Sequence, residues 1–143
     1  MHNWFNVAIK YERIAEDGLL VKVTQNFLVD ALSFTEAEER ITEEMKPFIS
    51  GEFIVSKVTR AKISEMFTSD EGDKWYKGKV NFVSLDEEKG VEKRLSTTMF
   101  AQASTLKEAV EVIEKGMKGT MADYEIASLS ETNVLDIFQY KAE

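Results

Sequence analysis

Trp4 and Trp75 each open a stretch of alternating apolar residues, and the alternate positions beside them gather cations and hydroxyls. If Phe5, Val7, Ile9 and Tyr11 point inward, period two sends Trp4, Asn6, Ala8 and Lys10 to the opposite face. In the later stretch that face receives Trp75, Lys77, Lys79 and Asn81. The runs that follow add Lys22, Thr24, Asn26 and Leu28, and then Arg94, Ser96, Thr98 and Phe100. An indole stacks on a planar base, while ammonium, guanidinium and hydroxyl groups meet phosphate oxygens. Trp4, Lys22, Trp75, Lys77, Lys79 and Arg94 therefore form a candidate site for a small anionic, nucleotide-like ligand. A plainer reading stands beside it. Strand-end tryptophans often cap a core, and lysines on a sheet face keep it wet or line a contact with another copy.

Lys57, Arg60 and Lys62 form a second basic cluster, and its counterpart around Ser128 to Asn133 is not basic. That asymmetry marks either a site confined to one half or neutral surface drift. Asp70-Glu71-Gly72-Asp73 and Asp86-Glu87-Glu88 lack the spacing of a calcium loop and read as acidic turns. The chain has no cysteine, and its single histidine is His2 near the terminus. Thiol nucleophiles, thiolate metal sites and histidine-dependent catalysis are thereby disfavoured. There is no glycine-rich phosphate loop, nucleophile elbow or dinucleotide fingerprint. No cofactor, bound metal or catalytic residue is expected, although a carboxylate-based, metal-assisted hydrolase stays open as a third reading.

The elements that would position these residues are written twice. Trp4-Phe5 returns as Trp75-Tyr76, and the rest of the first half follows about 71 positions later. Residues 4–13 and 19–31 alternate around Ala15-Glu16-Asp17-Gly18, as do 75–85 and 91–103 around Asp86 to Gly90. Each pair predicts a β-hairpin. Helices are predicted over 34–46 and 106–118, opened by the capping boxes Ser33/Glu36 and Thr105/Glu108. Pro47 and Gly119 limit them, with Gly116 also read as part of helix termination. A β-rich run from Phe53 to Phe67, broken near Thr59-Arg60, and another over 123–138 close the two halves. The expected fold class is α+β: an internally duplicated ββαβ unit with antiparallel sheet and two helices on one face. The repeats are set at 1–71 and 72–143 within one compact pseudo-twofold unit.

The formal net charge of −8 argues against general binding to a nucleic-acid backbone. No stretch approaches membrane-spanning length, and no signal-peptide pattern opens the chain, so a cytoplasmic setting is expected.

Three segments resemble an uncharacterised small-protein family. They are Val29-Asp30-Ala31-Leu32-Ser33-Phe34-Thr35-Glu36-Ala37-Glu38, Ile49-Ser50-Gly51-Glu52-Phe53 and Gly116-Met117-Lys118-Gly119-Thr120-Met121-Ala122-Asp123-Tyr124. That family occurs in Bacteroidetes genomes, their mobile elements and their phages. The resemblance implies a bacterial setting and carries no catalytic residues to transfer. Two functions are expected from it and the residues together. One is a non-enzymatic binder that sequesters a small anion, such as a host defence signal. The other is a protein-interaction or assembly module, a homodimer included, that uses the same sheet face with the tryptophans as anchors.

Overall fold

In the computed structural model, which describes residues 3–139, the first alternating run is strand β1 (Trp4–Ile14) and the second is β2 (Leu20–Asp30). They pair antiparallel in unbroken register. His2 lies outside the described residues. Gly18 turns the hairpin at φ +83°, a left-handed conformation that a side chain would oppose. Helix α1 (Phe34–Met45) follows, with the Ser33 hydroxyl accepting from the Glu36 N–H at 3.1 Å. Its spacing buries Ala37, Ile41 and Met45 on one stripe against Phe5, Val7, Ile9, Phe27 and Val29. Strand β3 (Phe53–Ala61) then pairs with β1, with Ser56 as an extra residue opposite Ala8 and Ile9.

A short strand, β4 (Glu65–Phe67), precedes the same order of elements written again. These are β5 (Lys74–Asp86), β6 (Val91–Ala103), α2 (Leu106–Gly116), β7 (Asp123–Glu131) and a last strand, β8 (Val134–Phe138). Even the bulge returns, with Ala127 as the extra residue opposite Lys79 and Val80. Helix α2 is capped by Thr105, whose hydroxyl accepts from the Glu108 N–H at 3.1 Å. It buries Ala109 and Ile113 against Tyr76, Val80, Met99 and Ala101.

The sheets correct the expectation of a purely antiparallel arrangement. The described residues form two four-stranded sheets, ordered β3-β1-β2-β8 and β4-β6-β5-β7, and each is mixed, not purely antiparallel. The parallel pairs are β2 with β8 and β4 with β6. Each sheet carries one helix on one face, so the α+β class stands with one helix per sheet. The closing run breaks at residues 62–64, after Ala61 and shortly past Thr59-Arg60. The compact units also differ from the sequence halves. One unit runs to Lys62 and resumes at Asn133, and the other spans Ile63–Thr132. Each half thus contributes its final strand to the sheet of the other half.

Side chains explain the exchange. Met66 and Phe67 of β4 lie beside β6, where Phe67 packs onto helix α2 at Gly116. A Cβ at Gly116 would sit 2.4 Å from the Phe67 ring, so this glycine permits a close approach. Helix termination is only part of its role. Phe138 of β8 packs in turn on Phe27, with ring centroids 5.7 Å apart. Among the described residues, no helix is long and apolar enough to cross a membrane.

Candidate functional site

On the face of the second sheet away from α2, three strands set polar side chains in register. Lys77 of β5 lies between Phe100 and Ser130, and Lys79 lies between Thr98 and Ser128. One step further along, Asn81 lies between Ser96 and Glu125. The bulge at Ala127 keeps Ser128 and Ser130 on the same face as Glu125, because it absorbs the extra residue between them. Lys77, Lys79, Ser96, Thr98, Ser128 and Ser130 line a shallow, open depression of about 410 Å³. The two lysines are two residues apart on one strand, which separates their Cα atoms by about 7 Å. With Thr98, Ser128 and Ser130 they offer two ammonium groups and three hydroxyls free to donate, on a rigid sheet. That is a surface for an oxyanion.

The carboxylates nearby are occupied. Glu131 pairs with Lys74 at 3.2 Å, and that hydrogen bond and charge raise the Lys74 pKa above its ordinary value. Glu125 accepts from Arg94 Nε at 2.9 Å and from the Asn81 side-chain amide at 3.3 Å. Among the described residues neither Lys77 nor Lys79 forms an ion pair.

The Asn81 amide first, and Arg94 second, hold the Glu125 carboxyl below the usual glutamate range. A group whose pKa is lower in the folded state adds stability above its unfolded value and loses it as pH falls through the folded value. Glu125→Gln is therefore expected to melt below the wild type at neutral pH. The gap should close as pH drops through and below the usual glutamate range, in melting curves recorded from pH 7 to pH 3. A gap independent of pH would contradict the ionised role of Glu125.

A model of a domain of unknown function, DUF4494, matches residues 3–140. The chain belongs to this family. No curated protein and no solved structure is similar enough to match it.

Of the six residues singled out by alternation, the DUF4494 fold brings only Lys77 and Lys79 together in an open site. Trp4 and Trp75 are each 3% exposed, which corrects their role as stacking platforms. Alternation placed them on the face away from the helices, but a face assignment is not an exposure. Leu28 and Phe100, two register positions along on the neighbouring strands, are buried there too. Arg94 shares the face of Lys79 but is held by Glu125 and, at 3.5 Å, by Glu92. Lys22 belongs to the other unit, in a depression it shares with Lys10, Glu12 and Glu52, where the charges are mixed.

The second basic cluster does not converge. Val58 packs on the first core, and alternation along β3 then sends Arg60 to that side and Lys57 to the other. Arg60 donates to the Asn3 side chain at 3.2 Å, and Lys62 lies beyond the strand end. Reading the sequence for cations overlooked Ser128 and Ser130. Their signal was present in the alternation of Ile126 and Leu129 with small hydroxyl residues, but the bulge at Ala127 broke the period. Among the described residues, no three His, Cys, Asp or Glu side chains converge to hold a metal.

Proposed function

We propose that this protein is a non-enzymatic binder of a small phosphate-bearing anion, nucleotide-like in kind, held on the open face of its second sheet. One observation carries the reading. Lys77 and Lys79 stay without a carboxylate partner in a hydroxyl-lined depression, while Glu125 and Glu131 beside them are ion-paired. In a chain of net charge −8, an uncompensated lysine pair is what an anion would select. Binding would be electrostatic and hydrogen-bonded, without stacking on tryptophan. The scaffold is read as an internal duplication in which only the second copy carries the site, because Asn6 and Ala8 stand where Lys77 and Lys79 do. The resemblance to a family of Bacteroidetes genomes, mobile elements and phages supplies the setting. There such a binder, working in the bacterial cytoplasm, would sequester a nucleotide-like host defence signal.

The test is calorimetric titration of the full chain with pyrophosphate at low salt. Lys77→Ala and Lys79→Ala are each expected to weaken binding about tenfold or more, as loss of a charged hydrogen bond does. Both side chains are exposed, so the melting temperature should stay close to wild type. Wild-type protein that ignores pyrophosphate, or a double variant that binds it equally well, would overturn the reading.

A second reading, a protein-interaction or assembly module, is favoured by a different observation. Exposed apolar side chains recur at the ends of both hairpins, as Ile14, Leu19 and Leu20 and as Leu85 and Val91. A mass that rises with concentration, and that falls when Ile14 and Leu20 become serine, would support it.

A further inference from the structure

We infer that the depression is polarised, with hydrogen-bond donors around Lys77 and Lys79 and an acceptor at Ser96, so that it fits a phosphate monoester carrying its own hydroxyl. This rests on the anion-binding reading above and specifies its ligand.

The polarity follows from a chain of three hydrogen bonds. Glu125 Oε1 accepts from Arg94 Nε at 2.9 Å and from Asn81 Nδ2 at 3.3 Å. An ionised carboxylate has only acceptors, so the amide nitrogen of Asn81 must face it. The lowered pKa of Glu125 keeps it ionised at neutral pH. Asn81 is only 9% exposed, and its Oδ1 is thereby turned to Ser96, 2.9 Å away. That oxygen carries no hydrogen, so the Ser96 hydroxyl must donate its proton to it. The Ser96 oxygen can then only accept from anything seated in the depression it lines.

The other groups behave differently. No hydrogen bond within the protein engages the side chains of Thr98, Ser128 or Ser130 among the described residues, so all three hydroxyls can donate to an oxyanion. Lys77 and Lys79 have donors alone. The dianion of a simple alkyl phosphate would satisfy that end and leave the Ser96 oxygen without a donor. A ligand with a hydroxyl beyond its phosphate satisfies both ends. Sugar phosphates and the ribose phosphate of a nucleotide have this form. Ser96 is accordingly a specificity-determining residue, set by Asn81 and Glu125.

The experiment titrates the full chain with inorganic phosphate, n-propyl phosphate and glycerol 3-phosphate, the last two differing in two hydroxyls on the same carbon chain. Wild type is expected to favour glycerol 3-phosphate over n-propyl phosphate by about five- to tenfold, the yield of one added hydrogen bond. Ser96→Ala should erase that preference while leaving n-propyl phosphate binding unchanged, and Ser96→Thr should keep it. Equal affinity for the two esters in wild type, or a preference that survives Ser96→Ala, would overturn the polarity and leave the anion site standing. Failure of all three probes to bind wild type would overturn the anion site itself.

Discussion

Replacing Trp75 by alanine is expected to lower the stability of the fold by about 3–5 kcal/mol, the usual cost of emptying a buried aromatic site. Trp75 is 3% exposed, and its carbonyl accepts from both the backbone N–H and the hydroxyl of Thr132, at 2.9 and 2.8 Å. The backbone of Trp75 is thus held beside the place where β7 ends, and loss of its buried indole leaves a cavity as well as lost burial. Trp75→Phe should recover much of the difference, since it restores part of the volume without the ring nitrogen. Urea melts of the three proteins would measure this. Pyrophosphate binding should survive in whatever fraction stays folded, because the lysines that hold the anion lie on exposed positions further along β5. An alanine variant with unchanged stability and lost binding would restore Trp75 to the ligand site. It is the sharpest contrast between a core role and a recognition role for this residue.

What the sequence disclosed follows from the range of each physical signal. Hairpins, helices and caps depend on neighbours within a few residues, and they appear where period and capping place them. Ser33 and Thr105 cap α1 and α2 as their boxes imply. The pairing of β4 with β6 and of β8 with β2 depends on partners about 35 and 110 positions away, and alternation carries no information about them. Period two is also blind to what covers a face. It put Trp75 and Lys77 side by side, yet one is buried and the other exposed. The same limit hid Ser128 and Ser130, because one inserted residue at Ala127 shifts every later side chain on β7 by one position. Lys77 and Lys79 were legible since no bulge separates them. Whether Arg94 was available to a ligand turned on Glu125, its partner across two strands, which no local pattern reveals.

Truncating the chain after Thr132 is expected to strike the unit built from β1, β2 and β3, although the deleted residues follow directly on β7. The deletion removes β8 from its place beside β2, and with it the Phe138 ring on Phe27 and the buried Val134. It also removes the Gln139 carbonyl, which accepts from Arg40 Nη2 at 2.9 Å; the same guanidinium donates to the Asp30 carbonyl through Nη1. Losing a packed aromatic and a four-residue ladder should cost about 3 kcal/mol or more, a large part of a small domain's stability. Hydrogen exchange would locate the damage. Amides of β1, β2 and α1 should lose protection, while those of β5, β6 and α2 keep it. Phe67→Ala provides the opposite case. Phe67 precedes β5 in the chain, yet it packs on α2 at Gly116, so its loss should loosen β6 and α2 and spare β1 and β2. If each variant damaged the half of the sequence in which it lies, the strand exchange would be wrong. Two lesions with crossed effects would follow only from strands that leave their own half to complete the other sheet.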